Sequence, residues 1–222
     1  MTSSRRWGSL SPTFVLLFVA LGAAVNLVGG YAATATGLPI FLDAIGTCLV
    51  ALVLGPWWGA LAAVITSFTL VPATGPGNIP FAIVGIVAAL TWGYGVRQLG
   101  LGRSATRYFV LNLLVVLVVA ALATPIVLWL FGGATGHPSD LITASLARLG
   151  PVGAVFVDNI LVSLVDKVLT GYVALAAASA LRPGLVQGAV LPGAAGRGWV
   201  VVAATGVAAA VVILVALKAI GV

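Results

Sequence analysis

The scarcity of charge limits what this chain can fold into more than any other feature of its sequence. Only ten basic and four acidic residues occur among 222, and hydrophobic residues make up 62% of the chain. A soluble domain carries about a quarter charged residues, because its surface faces water. A soluble globule is therefore excluded. We predict an all-α integral membrane protein whose outer surface contacts the lipid bilayer.

Breaks rich in glycine and proline divide the sequence into long apolar runs. A spanning helix needs about 20 mostly apolar residues, or fewer where neighbouring helices shield it. The first six runs predict a membrane domain over residues 1–181, followed by a cytoplasmic linker (182–198) and an additional C-terminal transmembrane helix (199–222). The seven predicted spans are Pro12–Thr34, Pro39–Leu54, Trp57–Val71, Ile79–Val96, Tyr108–Phe131, Pro151–Leu181 and Trp199–Ile220.

Only Gly55 and Pro56 separate the second predicted span from the third. Proline disfavours helical conformation at the residue before it. The pair therefore predicts a tight turn between two antiparallel helices. The alternative, one kinked helix from Pro39 to Val71, would be unusually long.

The first apolar run has an alternative interpretation as a removed signal peptide. Arg5 and Arg6 precede the run, and the small residues at 33–35 resemble a cleavage site. The run over residues 14–31 is longer than the apolar region of most signal peptides, and Asn26 interrupts it. We therefore expect the first helix to remain in the protein.

The basic residues predict the orientation, because cytoplasmic segments of membrane proteins carry an excess of Lys and Arg. With the N-terminus inside, only Arg148 and Lys218 fall on the outer side. A multi-pass protein with its N-terminus inside follows. The basic residues in inner segments are then Arg5, Arg6, Arg97, Arg103, Arg107, Arg182 and Arg197.

Several classes of function lack their signature in this sequence. The net charge of +6 is spread over loops, without a basic run suited to nucleic acid, so no nucleic-acid partner is predicted. No zinc-protease motif, nucleophile elbow or phosphate-binding loop occurs, so we predict neither an enzyme nor a cofactor. Cys48 is the only cysteine, which excludes a disulfide within the chain. His137 is alone in an outer loop and is expected to be solvated.

Four charged residues lie inside the first six predicted spans, namely Asp43, Asp158, Asp166 and Lys167. Charged groups are costly in a membrane, so these side chains are expected to face the protein interior and are candidate functional groups. For Asp166 and Lys167, which lie deepest, we predict a structural or coupling pair. Pairing of Lys167 with Asp43 is the alternative.

Polar residues of the sixth span recur on one helix face. Asn159, Ser163, Asp166 and Thr170 follow one another at steps of four, three and four, and Asp158 lies at the edge of this face. Such a stripe lines either a cavity or a buried helix contact. We predict that Asp158, Asn159 and Ser163, nearer the outer side, contact a ligand.

Two further candidate ligand contacts lie beside the predicted outer loops, which cover residues 35–38, 72–78 and 132–150. Asp43 follows Pro39 by one turn at the outer end of the second span. As an acid in a first helical turn it could instead stabilise the helix dipole. Asn78 ends the second outer loop. All three loops are rich in Gly, Pro and Thr, as expected of loops that fold over a cavity mouth.

Small residues recur at four-residue spacing along the first span. Ala20 and Ala24 form one such pair, and Gly22, Asn26 and Gly30 repeat the spacing on a neighbouring face. Small residues at this spacing let another helix approach closely. Internal packing and contact with a separate subunit are both compatible with the pattern.

Several segments of the chain resemble a known family of transport proteins. Residues 38–47 read LPIFLDAIGT and residues 54–59 read LGPWWG, with Asn26 and Gly30 before them and VDK at residues 165–167. In order and spacing these segments resemble the substrate-binding S components of energy-coupling factor (ECF) transporters. The resemblance covers about residues 12–181.

The resemblance implies a six-helix bundle with both termini inside and a ligand cavity beneath the outer loops. The ligand would be a vitamin, a vitamin precursor or a metal-related compound. The partners would be a transmembrane coupling subunit and two ATP-binding cassette ATPases, in the cytoplasmic membrane of a prokaryote. Ala20 and Ala24 match the AxxxA motif that contacts the coupling subunit in this family. Toppling of the loaded subunit would turn its site toward the cytoplasm.

The seventh predicted span, Trp199–Ile220, departs from the six-helix pattern, and we interpret it as an added packing helix or anchor. Two other functions stay open. One is a stand-alone carrier or channel that uses Asp43, Asp158 and Asp166 as a path for protons or cations. The other is a ligand-sensing membrane module. No repeat relates the two halves of the chain, which counts against inverted-repeat carriers.

Overall fold

All regular structure in the described part of the chain is helical. The computed structural model describes residues 10–191, so the predicted span Trp199–Ile220 lies outside the described residues. Short 3₁₀ helices cover Pro76–Phe81, Ala147–Leu149 and Pro183–Leu185. The α-helices are α1 Pro12–Thr36, α2 Ile45–Val53, α3 Pro56–Thr69, α4 Val71–Thr74, α5 Ala82–Arg97, α6 Ala105–Phe131, α7 Asp140–Ser145 and α8 Gly150–Ala180.

Four helical segments are long and apolar enough to cross a membrane: Pro12–Thr36, Pro76–Arg97, Ala105–Phe131 and Ala147–Ala180. A multi-pass helical membrane protein is thereby confirmed. The predicted number of spans is not, because α2 has only nine residues and α3 fourteen. Nine helical residues rise about 14 Å, less than half of the roughly 30 Å hydrocarbon thickness.

The second predicted span, Pro39–Leu54, is helical only in its second part. Residues 37–44 form a non-helical connection between α1 and α2, called the connecting segment below. In this segment Leu42 has φ of +53°, which is uncommon for a residue other than glycine. Its N–H donates to Asp166 of α8 instead of to a helical carbonyl. Asp43 therefore precedes α2 rather than belonging to its first turn.

A side chain of α1 caps the N-terminus of α2. Asn26 Oδ1 accepts the N–H groups of Gly46 at 2.6 Å and Thr47 at 3.2 Å. Its Nδ2 donates to the hydroxyls of Thr47 and Thr66, each at 2.8 Å. A Cβ on Gly46 would lie 1.8 Å from the carbonyl oxygen of Gly22, so the backbones of α1 and α2 touch here. The amide of Asn26, which is fully buried, thus joins α1, α2 and α3.

The two small-residue faces of α1 lie in different environments. Gly22, Asn26 and Gly30 are buried against the rest of the bundle. Ala20 and Ala24 lie on the exposed side of the helix. Within residues 10–191, internal packing thus accounts for the glycine face but not for the alanine pair.

The turn predicted at Gly55 and Pro56 is confirmed. Helix α2 ends at Val53 and α3 begins at Pro56. Gly55 has φ of +128°, a conformation that side-chain-bearing residues rarely adopt. The separate helices α2 and α3 then pack closely, since a Cβ on Gly59 would lie 2.6 Å from the Cβ of Ala51.

The Arg97 guanidinium, at the end of α5, binds backbone carbonyls from three parts of the chain. It donates to Ala51 at 2.7 Å, Leu52 at 3.0 Å, Gly93 at 3.1 Å and Gln187 at 2.9 Å. The first two belong to the last turn of α2, whose carbonyls have no partner within the helix. Arg97 therefore caps the C-terminus of α2. The same end of the bundle, called the arginine end below, also carries Arg103, Arg107 and Arg182.

Replacing Arg97 by lysine is expected to lower the free energy of unfolding by about 1–3 kcal/mol, because an ammonium group cannot satisfy four carbonyls in the planar geometry of a guanidinium. Unfolding by SDS titration of the protein in bicelles measures the change. Arg107→Lys is the matched control, since Arg107 is exposed at the start of α6. Equal losses for the two substitutions would contradict the capping role of Arg97.

Candidate functional site

A cavity of about 370 Å³ lies between the helices at the end opposite the arginine end. We call this the loop end. Helices α1, α3, α5, α6 and α8 supply the walls, while the connecting segment and the loops around Gly77 and His137 supply the cover. The volume falls within the range of small-molecule sites, about 300–1,000 Å³.

All five residues predicted to contact a ligand line this cavity. The connecting segment contributes Asp43, and the 3₁₀ helix Pro76–Phe81 contributes Asn78. Helix α8 contributes the other three, Asp158, Asn159 and Ser163. The fold thus brings distant parts of the sequence to one wall. Their role as ligand contacts stays a prediction.

Asp158 has an unsatisfied carboxylate oxygen. Its Oδ2 accepts the hydroxyl of Thr143 at 2.8 Å, and Thr143 comes from the short helix α7 that covers the loop end. Its Oδ1 is buried and has no hydrogen-bond partner among residues 10–191. The residue is only 6% exposed although it lines the cavity. A buried acceptor without a donor is rare and calls for an explanation.

The polar stripe of α8 lines the cavity at one end and is buried at the other, so both environments that the sequence left open are found. Lys167 lines the cavity together with Asn159 and Ser163, whereas Asp166 does not. Asp166 and Thr170 are fully buried. The connecting segment binds Asp166 through the N–H groups of Phe41 and Leu42, which places this carboxylate outside the cavity lining.

Asp166 and Lys167 form an ion pair, with Lys167 Nζ 2.5 Å from Asp166 Oδ2. The other oxygen of Asp166 accepts the N–H groups of Leu42 at 2.8 Å and Phe41 at 3.3 Å. Lys167 is also close enough to Asp43 for their charges to interact. The pair therefore positions the connecting segment, and the two alternative pairings predicted for Lys167 belong to one cluster.

The two amide side chains of the wall are anchored by the protein. Asn159 donates to the hydroxyl of Thr124 at 3.2 Å. Asn78 donates to the carbonyl of Ser67 at 3.4 Å. Each amide is thus held at the cavity wall by one hydrogen bond, which leaves part of its hydrogen-bonding capacity unused.

The expectation that His137 is solvated is wrong. Its ring stacks on Phe41 with centroids 4.5 Å apart, and it lines the cavity. The N–H of Ser139 donates to its Nδ1 at 3.2 Å, so this nitrogen is unprotonated. Burial lowers the pKa of His137 from 6.5, against an opposing effect of Asp140. The histidine therefore belongs to the cavity cover, where burial favours its neutral form.

Sequence reasoning missed several parts of the site. Phe41, Phe81 and Phe131 line the cavity, and Thr143 holds Asp158. The phenylalanines looked like ordinary apolar span residues, and an isolated loop threonine carries no periodic signal. Only the folding of the loops over the helices brings these side chains to the site.

Comparisons of the chain with protein-family models, curated proteins and solved structures find no match. The resemblance to ECF S components thus rests on the sequence segments quoted above. The function must be inferred from the chemistry of the cavity and the surface of the bundle.

Proposed function

We propose that this chain is the membrane-embedded substrate-binding subunit of an ECF-type importer, which captures a small vitamin-like molecule. The observation that carries the proposal is the cavity of about 370 Å³ lined by Asp43, Asp158, Asn159 and Lys167. Ionisable residues that line an intramembrane cavity are characteristic of binding sites and transport pathways. The ion pair with Asp166 gives Lys167 a structural role, but Asp158 has no such partner within residues 10–191.

The distribution of arginines supports the orientation of this subunit. The arginine end holds Arg97, Arg103, Arg107 and Arg182, as expected of a cytoplasmic side. In a prokaryotic cytoplasmic membrane the N-terminus is then inside and the loop end outside. The cavity would accordingly receive its ligand from the outer side.

A packed layer beneath the cavity favours a binding subunit over an open channel. Cys48, Leu52, Trp92 and Tyr108 are all fully buried between the cavity and the arginine end. The polar atoms of these side chains form hydrogen bonds inside the bundle. The Tyr108 hydroxyl, for example, donates to the carbonyl of Gly171 at 2.9 Å. Release to the cytoplasm would require the whole subunit to reorient or the helices to separate. The proposed coupling subunit and two ATP-binding cassette ATPases would supply that work.

The exposed face of α1 is the proposed contact for the coupling subunit. Ala20 and Ala24 lie there, flanked by Leu17 and Leu21, which are 65% and 54% exposed. Two small residues one turn apart create a shallow groove that admits a helix of another subunit.

Leucine at both Ala20 and Ala24 is expected to release the chain from its coupling subunit, because the larger side chains fill this groove. Co-purification of the tagged chain from its host's membranes, followed by native mass spectrometry, measures the association. Ala121→Leu, at an exposed position of α6, is the matched control. The double variant should keep the thermal stability of the wild type, because both alanines point away from the core.

Each outcome of this experiment separates the candidate functions. The importer is supported if the ATPases and the coupling subunit co-purify with the wild type and with Ala121→Leu but not with the double variant. Retention of these partners in the double variant would place the coupling contact elsewhere. A wild-type chain that purifies without partners under gentle solubilisation would contradict the importer and favour a stand-alone carrier.

A further inference from the structure

We infer that the ligand of this cavity is a small organic cation with at least one N–H donor, recognised by the carboxylate of Asp158. The inference rests on the proposed binding function and deepens it by naming the charge and polarity of the ligand. It is carried by the unsatisfied oxygen of Asp158, the charge balance of the wall and the aromatic rings around the mouth.

The hydrogen bonding of Asp158 is complete on one side only. Thr143 donates to Oδ2, while Oδ1 is buried without a donor. Leaving a buried acceptor unpaired is costly, and the cost is larger for a charged group. While the cavity holds no ligand, the protein bears the free-energy cost of this unpaired acceptor. Asp158 lines the cavity, so a ligand N–H that draws Oδ1 toward it removes this cost, and the site selects a ligand with a donor.

The charge balance of the wall favours a cation. Lys167 is the only lysine or arginine among the lining residues, and it contacts Asp166 directly while also facing Asp43. Lys167 is thus already engaged by acids other than Asp158. Asp140 accepts the N–H of Gly136 at 2.7 Å and belongs to the loop cover. Asp158 accordingly has no cationic partner among residues 10–191.

The shape and lining of the cavity favour an organic cation over a bare metal ion. No group of three or more His, Cys, Asp or Glu side chains within residues 10–191 is arranged to hold a metal. Two stacked aromatic pairs, Phe41 with His137 and Phe81 with Phe131, border the space instead. Aromatic faces attract ammonium groups and also cover apolar ligand surface. A protonated amine attached to a small ring or chain satisfies both features.

Three probes of similar size and different charge test the inference: benzylamine, benzyl alcohol and benzoate. Each is added to the full-length protein in lipid nanodiscs, and the midpoint of thermal unfolding is measured. Benzylamine, which is protonated at neutral pH, is expected to raise the midpoint most. Benzyl alcohol should have a smaller effect, and benzoate should have none.

Asp158→Asn should lose most of the stabilisation by benzylamine, because the amide removes the charge and presents a donor to the ligand. Without probe its unfolding midpoint should be at or above that of the wild type, since a buried unpaired charge has been removed. Thr170→Val is the matched control. Its hydroxyl is also buried and unpaired on α8, but it does not line the cavity. That variant should keep the full benzylamine shift.

The outcomes distinguish the ligand class from the binding function. Benzoate stabilising as well as benzylamine, or an undiminished benzylamine shift in Asp158→Asn, would overturn the cationic ligand. Ser163→Leu, which fills the cavity, then tests whether the remaining probes bind there. If it abolishes the shift by benzoate or benzyl alcohol, the cavity binds small molecules and only the preference for a cation is wrong. If no probe shifts the midpoint, the inference fails as well. A lower midpoint of Asp158→Asn without probe would show a structural role for this carboxylate.

Discussion

Replacing Asn26 by leucine is expected to destabilise the protein by about 3–5 kcal/mol, enough to prevent folding of a marginally stable bundle. The change removes four hydrogen bonds that join α1, α2 and α3. Interhelical hydrogen bonds in membrane proteins average only about 0.6 kcal/mol, so they alone give about 2 kcal/mol. Forcing a branched side chain into a fully buried site adds about 1–3 kcal/mol. SDS-titrated unfolding in bicelles measures the sum.

Two milder substitutions serve as controls for Asn26. Thr66→Val removes one acceptor and is expected to cost about 1 kcal/mol. Asn26→Asp keeps the acceptor for the amides of Gly46 and Thr47, and the threonine hydroxyls can rotate to donate to its second oxygen. The aspartate variant should therefore retain more stability than the leucine variant. Equal stability of Asn26→Leu and Thr66→Val would show that the cap is unimportant.

Replacing Lys167 by methionine is expected to cost about 3–5 kcal/mol, as found when one partner of a buried ion pair is removed. Asp166 has no exposed surface, so its charge would be left with only the backbone N–H groups of the connecting segment. Methionine has nearly the length of the lysine stem, which limits the loss of packing. The same unfolding measurement applies.

The converse substitution, Asp166→Asn, is expected to cost less. The asparagine oxygen still accepts the N–H of Leu42, and Lys167 still faces Asp43 across the cavity wall. The double variant Asp166→Asn/Lys167→Met should recover part of the stability lost in Lys167→Met, because no unpaired carboxylate remains at position 166. Strictly additive losses would mean that the two side chains are not energetically coupled.

The ion pair has a consequence for the site. Asp166 holds the backbone of the connecting segment, and that segment carries both Asp43 and the ring of Phe41 to the cavity. Loss of the pair should thus disturb the wall as well as stability. The fold and the proposed ligand contacts share the same charged cluster.

The longest helices were predictable because each contains a long run of mainly apolar residues. Helices α1, α6 and α8 begin and end within three residues of the predicted spans. The turn at Gly55 and Pro56 was equally clear, since both residue types restrict the local backbone. The N-terminal part of the second span was not predictable. Residues 39–44 are apolar enough for helix, yet the N–H groups of Phe41 and Leu42 bond to Asp166, a side chain far away in the sequence.

The candidate site was predictable in its residue types and less so in its geometry. Asp158, Asn159 and Ser163 follow from polarity within a span. The position of Lys167 at the cavity wall does not, because periodicity gives the angle of a side chain about its helix but not the element packed against it. The aromatic cover around His137 depends on loop conformations that no repeat pattern encodes.

By itself the sequence determined that this protein is helical, lies in the membrane and carries a few ionisable groups within its spans. Those properties follow from the free-energy cost of placing charges in lipid and of leaving backbone N–H and C=O groups without hydrogen bonds there. Each residue adds to this cost through its own side chain and backbone, so the properties can be predicted from the sequence. Only the tertiary structure decided which of these groups meet. Asn26 caps α2, Asp166 holds the connecting segment, and Asp158 keeps an unpaired buried oxygen beside the cavity, because each outcome depends on contacts between segments distant in the chain.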